Sequence, residues 1–505
     1  MKIRLLVCCL CLYQLCLDPL AHAESSHAES EVELSNEVEL SNIESQLNQQ
    51  LNTELPVAVS NALGKIGVPE NSVSVYVQPL AQQPALLSLP ILAHQATVAL
   101  NPASTMKLLT SYASLSLLGP AYRWKTEIYH DGSLKNGVLD GNVYLKAYGD
   151  PNFTTADFWR LLNSLRQLGV NEIKGNLIVD NSYFASESQS AGNFDGDEVR
   201  AYNAPPSALA INLKASSFRF DSDISHVSIT QEPNLAEIKI DNMLKVGKAD
   251  CGSWRNAFSY DVKQIGDIST VTFMGTYAPN CHEKYLELVA IDENNYTLAL
   301  FRQLWLELGG SFNGKIKTSS VPAYATKLSQ QDSKTLAQIL PDMNKWSNNL
   351  MARQMLLTIA AEKVTLPATE SNGALAVKQW LNSIGLSFDE LVIENGSGLS
   401  RLERISAEHM GALLVNAYYS AVMPELISSL PILAVDGTMQ RRMKESILHG
   451  KAHLKTGTIN DVFTLAGYVL GQDNKRYVVV FMTNHPNATL TKPAQDALLE
   501  WVYAQ

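Results

Sequence analysis

Three segments near the C-terminus leave the chain little choice of fold. AHLKTGTI, DVFTLAGYVL and KRYVVVFMTN follow one another across short polar breaks, the last two joined by GQDN, and TKPAQDALLEWVYAQ closes the chain. Their β-branched and aromatic content reads as strand, and breaks this short join antiparallel neighbours. The closing segment carries Pro493 near its start, which suits the first turn of a helix. An antiparallel sheet with helices on it places the fold in the α+β class.

At 505 residues the chain is too long for one core, and two to four domains are expected. From about Pro56 the composition becomes globular, and VSVYVQPL (Val73 to Leu80) reads as a strand. ASTMKLLTSYASLSLLG reads as a helix, with Pro102 and Ser104 at its start, an apolar stripe at Leu108, Leu109, Tyr112, Leu115 and Leu117, and a stop at Gly119 and Pro120. The next two hundred residues alternate at period two between Gly, Asn and Asp punctuation, so 123–333 reads as an inserted, mainly β region of two subdomains. Helical patterns return with SKTLAQILPDM, SNNLMARQMLLTIAAEK, NGALAVKQWLNSIG and SAEHMGALLVNAYYSA. Residues 56–122 and 334–505 then form one discontinuous domain around the insertion.

The N-terminus has a different character. Lys2 and Arg4 precede an apolar stretch from Leu5 to Leu17, and small residues lead to a cut after Ala23, the order of a secretory signal peptide in 1–23. About 13 apolar residues fall short of the roughly 20 that span a bilayer, and no later run is long enough, so no transmembrane segment is expected in the mature chain. Residues 24–55 hold EVELSN twice in tandem (Glu31 to Asn36, Glu37 to Asn42), an acidic, aromatic-free stretch that reads as a solvated linker. Cys8, Cys9, Cys11 and Cys16 leave with the leader, and the remaining Cys251 and Cys281 read as one disulfide in an exported chain. A net charge of -11 argues against a nucleic-acid partner.

Chemistry enters at NPASTMKLLT, where Ser104 lies three residues before Lys107. On a helix that spacing puts both side chains on one face, so a buried, neutral Lys107 can serve as base for Ser104. Taken alone, the pair equally describes a serine cap followed by a solvated lysine. Two more strings narrow the choice: Ser347-Asn348-Asn349 at a helix start, and Lys455-Thr456-Gly457 on a strand. Ser-x-x-Lys, Ser-x-Asn and Lys-Thr-Gly in that order are the motifs of penicillin-recognising serine enzymes.

The gap from Ser104 to Ser347 is 347 minus 104, or 243 residues. With that insertion and the strings ENGSGLSR (Glu394 to Arg401), VDGTMQRRM (Val435 to Met443) and YGDPNF (Tyr148 to Phe153), the chain resembles the penicillin-binding protein 4 family from about Pro56 to its end. These are class C low-molecular-mass D-alanyl-D-alanine carboxypeptidases/endopeptidases of peptidase family S13. The resemblance implies a transpeptidase-like α+β catalytic domain, an acyl-enzyme on Ser104, a periplasmic location and no cofactor or metal. Peptidoglycan stem peptides are the implied substrates and β-lactam antibiotics the acylating inhibitors, while oligomeric state stays open.

The resemblance also implies roles. Ser104 attacks the penultimate D-Ala carbonyl, Lys107 takes its proton, Ser347, with its hydroxyl between Lys107 and Lys455, relays a proton to the departing amine, and Asn349 orients the substrate amide. Lys455 and Thr456 attract the terminal carboxylate, Gly457 gives room for close backbone approach, and the N–H groups of Ser104 and Thr458 hold the oxyanion. Asp150 and Arg401 bind the amino-carboxylate of diaminopimelate. Asn460 stands where a longer polar residue such as Gln is expected.

Rival classes lack their own marks. A serine β-lactamase shares the three motifs in a much shorter chain. An α/β-hydrolase needs Gly-x-Ser-x-Gly, but Asn395 precedes Gly396-Ser397-Gly398. Metal hydrolysis by His-Glu-x-x-His has no such string here. An idle cell-wall binding protein of the same fold predicts loss of Ser104, Lys107, Ser347 or Lys455, and all four are present.

Overall fold

The C-terminal strands form three strands of a five-stranded antiparallel sheet. The computed structural model describes residues 52–81, 88–185, 194–248 and 251–505. The leader and the EVELSN repeats lie outside the described residues. Strands β1 (Val73–Pro79), β2 (Leu92–His94), β3 (Ala452–Ile459), β4 (Val462–Leu470) and β5 (Arg476–Asn484) are ordered β2-β1-β5-β4-β3. β1, from the start of the globular chain, pairs with β5 in the register Val75↔Phe481 and Val77↔Val479. It is buried along nearly its whole length, as an inner strand covered on both faces must be. β3, which carries Lys-Thr-Gly, is left at the edge.

The period of two then distributes the sheet residues between two cores. Val75, Val77, Val479 and Phe481 face a layer made by α1 (Val57–Lys65) and the closing helix. Tyr76, Val478, Val480 and Met482 face the other layer, with Leu108, Leu109, Met355 and Leu413. That second layer is built from α2 (Lys107–Leu118), α3 (Leu336–Trp346), α4 (Asn349–Lys363), α5 (Glu370–Ser383) and α6 (Ala407–Tyr418), and α7 (Lys492–Tyr503) closes the first. α2 packs on α4, bringing the first and second motifs together across 242 residues of sequence.

Between α2 and α3 the chain builds its own sheets. A mixed five-stranded sheet has the order 316–318, 177–180, 143–147, 125–130, 326–332. Among the described residues, two three-stranded sheets and a four-stranded one complete the strand content of this region. Two helices were not expected there: Thr155–Gln167 and Glu293–Glu307. The first buries Phe158, Leu161, Leu162 and Leu165, a helical stripe, and opens with a reciprocal capping box between Thr154 and Asp157. Both signals are legible in TTADFWRLLNSL, where neighbouring period-two segments outweighed them. Cys251 and Cys281 are joined, with Cα atoms 5.0 Å apart.

The expected helix after Pro102 also differs at its start. Ala103–Met106 form a 3₁₀ turn and the α-helix begins at Lys107, so Ser104 caps nothing. Ala103 has φ 44, a left-handed value that a side chain adopts at a cost. Asn101 holds the turn, accepting the Ala103 N–H at 2.8 Å and donating to the Ser400 carbonyl at 2.8 Å.

Candidate active site

Ser104 lies on the floor of a 400 Å³ cleft with Ser347, Asn349, Leu399, Thr458 and Asn460. Its Oγ is 3.0 Å from Lys107 Nζ. Lys107 is fully buried, at 0% exposure, and Nζ also donates to Asn349 Oδ1 at 2.7 Å and to the Ser397 carbonyl at 2.5 Å. Two acceptors for the two N–H bonds of a neutral amine leave the nitrogen lone pair directed at Ser104, the pose of a base. Burial drives the Lys107 ammonium well below its ordinary range and Lys455 pushes the same way, while Glu403 opposes them.

The third motif contributes from the sheet edge. Lys455, equally buried, donates to Ser347 Oγ at 2.8 Å and to the Thr456 carbonyl at 2.8 Å. Burial lowers it to about 7. Ser347 is the left-handed cap of α3, at φ 58, and Asn348 caps α4 by accepting the Met351 N–H. This two-residue junction aims Ser347 at the sheet and Asn349 at α2.

Several expected residues occupy other positions than the sequence implied. Among the described residues the Ser347 hydroxyl bonds Lys455 Nζ and not Lys107, whose donors go to Asn349 and Ser397. Asn349 donates from Nδ2 to the Tyr202 carbonyl at 3.2 Å, so both ends of its amide are engaged. Gly457 makes room for the chain itself: a Cβ there would lie 2.2 Å from Thr464 Oγ1 and 2.9 Å from Ser104 N. The strand alternation buries Lys455 and turns Thr456 and Thr458 outward; Thr456 Oγ1 donates to Thr438 Oγ1 at 3.0 Å, and Thr458 lines the cleft.

Asp150 is absent from the lining of that cleft. It is 4% exposed, accepts the Asn152 N–H at 2.9 Å, and is pushed up to about 7 by burial. The carboxylate in the cleft is Asp195, fixed by the Tyr202 hydroxyl at 2.7 Å and Asn203 Nδ2 at 2.6 Å. Although burial pulls the other way, these bonds and Arg200 hold Asp195 below the usual carboxylate range. Arg401 lies 4.6 Å over the ring of Phe194, which lines the same cleft, and donates to the Asn460 carbonyl at 2.9 Å. Sequence reasoning missed Asp195 because NFDGDEVR has no spacing that sets one acid apart from its neighbours. It missed the Ser397 carbonyl because a backbone oxygen has no letter.

A cavity of 780 Å³ lies elsewhere, lined by Trp159, Arg160, Asn212, Glu232 and Glu287 within the inserted region. It holds no serine set against a buried amine, and the smaller cleft carries the chemistry. Among the described residues no cluster of His, Cys, Asp and Glu is arranged to hold a metal ion. No helix among them is long and apolar enough to cross a membrane.

A serine paired with a buried amine beneath the edge of an antiparallel sheet defines the class as serine acyl-transfer hydrolases of the penicillin-binding fold. Residues 57–505 match the D-Ala-D-Ala carboxypeptidase 3 (S13) family, and the chain belongs to it. It is 28% identical over 387 residues to the D-alanyl-D-alanine carboxypeptidase DacB of Haemophilus influenzae, covering 76% of this chain and 80% of the relative. It is also 28% identical over 414 residues to an Actinomadura D-alanyl-D-alanine carboxypeptidase, covering 79% and 76%. The crystal structure of penicillin binding protein 4 (dacB) from Haemophilus influenzae superposes with a TM-score of 0.72 at 25% identity, over 89% of this chain and 100% of the other.

Proposed function

We propose that this enzyme cleaves the bond on the carboxyl side of the penultimate D-Ala in peptidoglycan stem peptides, as a carboxypeptidase, an endopeptidase or both. Ser104 Oγ attacks the D-Ala carbonyl carbon and its proton passes to Lys107. The tetrahedral adduct collapses, the C–N bond breaks, and the departing amine takes back the proton held by Lys107, while Lys455 keeps the Ser347 hydroxyl in place. Water then attacks the Ser104 ester, losing a proton to the neutral Lys107, and as the ester C–O bond breaks Lys107 returns that proton to Ser104 Oγ, giving the shortened peptide and free enzyme. The N–H groups of Ser104 and Thr458 hold the oxyanion, a contribution of about 3 to 4 kcal/mol in such sites. Penicillins acylate the same oxygen.

The observation that carries this reading is the 3.0 Å separation of Ser104 Oγ from a Lys107 amine with no access to solvent. The edge position of β3 supports pairing with an extended peptide, whose terminal carboxylate meets Thr456 and the charge of Lys455. For the amino-carboxylate of diaminopimelate, Asp195 replaces Asp150 as partner of the amino group, and Arg401 takes the carboxylate. Residues 1–23 act as the export signal and the mature enzyme works in the periplasm, with 56–122 and 334–505 as its catalytic domain. Labelled penicillin with mass mapping tests the reading: wild type labels on Ser104, Ser104→Ala takes no label, and a labelled Ser104→Ala would refute it. Digestion of purified muropeptides separates the two peptidase activities.

A further inference from the structure

Lys107 changes charge during acylation inside a cavity that excludes water. A neutral amine needs two acceptors there, but the ammonium formed when it takes the Ser104 proton also needs a compensating charge. Asn349 Oδ1 and the Ser397 carbonyl are neutral acceptors. The negative charge the reaction itself supplies is the transient oxyanion, which the Ser104 and Thr458 N–H groups hold and which is gone once the C–N bond breaks, so a standing counter-charge has to come from the protein.

Glu403 lies beneath the turn that delivers Ser397. At 0% exposure it is as buried as Lys107. Its Oε1 accepts three successive backbone N–H groups, from Gly396 at 2.9 Å, Asn395 at 3.1 Å and Glu394 at 3.3 Å. Its Oε2 is buried and has no hydrogen-bond partner among the described residues. The clamped turn continues into Ser397, whose N–H and hydroxyl both donate to Asn395 Oδ1, at 2.9 and 2.7 Å. From the other side, Thr110 of α2 donates to the Gly396 carbonyl at 2.6 Å. The Ser397 carbonyl thus reaches Lys107 from a turn whose N–H groups from Glu394 to Ser397 are all hydrogen-bonded.

We propose that Glu403 is a positioning residue for acylation: it clamps the 394–396 amides so that the Ser397 carbonyl orients Lys107, and its carboxylate is the buried counter-charge for the Lys107 ammonium. The inference rests on Ser104 and Lys107 being nucleophile and base. Of the charged groups around it, α2 contributes Lys107, on which Lys455 of β3 acts in turn, and the 394–404 segment contributes Arg404. The Arg404 guanidinium is spent on the Arg401 and Glu403 carbonyl oxygens. Burial pushes the Glu403 carboxyl up to about 7, while the three amides and Lys107 pull it down, so its charge is available in the neutral range and responds to Lys107.

The test compares Glu403→Gln and Glu403→Asp with wild type in the pH dependence of acylation by a fluorescent penicillin. Gln keeps an acceptor for the amides and removes the charge. Lys107 then loses a proton more readily, so the acid limb moves to lower pH by about one unit and the rate on the plateau falls. Asp keeps the charge but shortens the reach to the amides. Its acid limb stays at the wild-type midpoint while acylation slows by about tenfold or more. A Gln variant with the wild-type midpoint overturns the counter-charge. An Asp variant with the wild-type rate overturns the clamp, and this arm stands even where the Gln variant does not fold. Mass mapping of the label to Ser104, and its loss in Ser104→Ala, keeps a failure here distinct from a failure of the nucleophile assignment.

Discussion

Replacing Gly398 with Ala tests whether the 394–403 turn sets the geometry of the nucleophile. Gly398 has φ 82, and a Cβ there would lie 1.9 Å from the Ala103 carbonyl oxygen and 2.6 Å from Ser104 N. Restoring even a 3.0 Å contact requires 3.0 minus 1.9, or 1.1 Å, of separation between two backbones, with no flexible side chain to give way. Gly450 supplies the control: φ is 74 and a Cβ meets nothing within 4 Å. Gly450→Ala therefore carries only the left-handed penalty, about 1 to 2 kcal/mol. Gly398→Ala adds an overpacking cost of about 1 to 3 kcal/mol. More telling is the rate, because a displacement of about 1 Å at a nucleophile costs on the order of a hundredfold. Urea melts and stopped-flow acylation by a fluorescent penicillin read the two effects. If Gly398→Ala matches Gly450→Ala in both, the turn does not position Ser104 and the reasoning is wrong.

Three further outcomes are expected. Asp150, raised to about 7 in the folded chain against 3.8 unfolded, contributes stability below about pH 4 that is lost as pH rises through about 7. Asp150→Asn keeps the acceptor for Asn152 and removes that loss, so it gains on wild type by on the order of 4 kcal/mol between pH 4 and 8, read by melts across that range. Replacing Cys251 and Cys281 together with Ser opens a link spanning 30 residues and costs about 3 to 4 kcal/mol in a denaturant melt, with penicillin acylation unchanged on the folded protein. Asp195→Asn acylates with penicillin at the wild-type rate but turns over diaminopimelate-containing stem peptides about tenfold more slowly than those with a neutral side chain at that position, measured by product analysis. Equal loss on both peptides would separate Asp195 from side-chain recognition.

How much of the site was legible depended on whether a residue acts through its own side chain at a fixed local spacing. Ser104 and Lys107 are three residues apart, and a turn of helix settles their proximity whatever surrounds them. Ser347 and Lys455 were readable as letters, but which lysine Ser347 meets depends on how α3 ends against β3. Gly457 is legible as a place of close approach, but that Thr464 and the nucleophile turn fill the space a Cβ would need is settled by tertiary packing. Asp150 sat beside a recognisable string, yet it is buried near Asn152 and Asp195 faces the cleft.

By itself the sequence determined the antiparallel sheet, the order of the three motifs and the existence of a long insertion. Short strand connections, local side-chain spacing and period-two alternation are properties of neighbouring residues, so they can be read without knowing any distant partner. Only the tertiary structure decided the direction in which the Lys107 pKa is driven and the identity of its partners. Burial is the first cause of its lowered pKa, and that burial is created by α2, α4 and the 394–403 turn closing on one another from positions hundreds of residues apart. The same closure brings the carboxyl of Glu403 within electrostatic reach of that amine, an arrangement of charge that depends on distance in space and leaves no mark on distance in sequence.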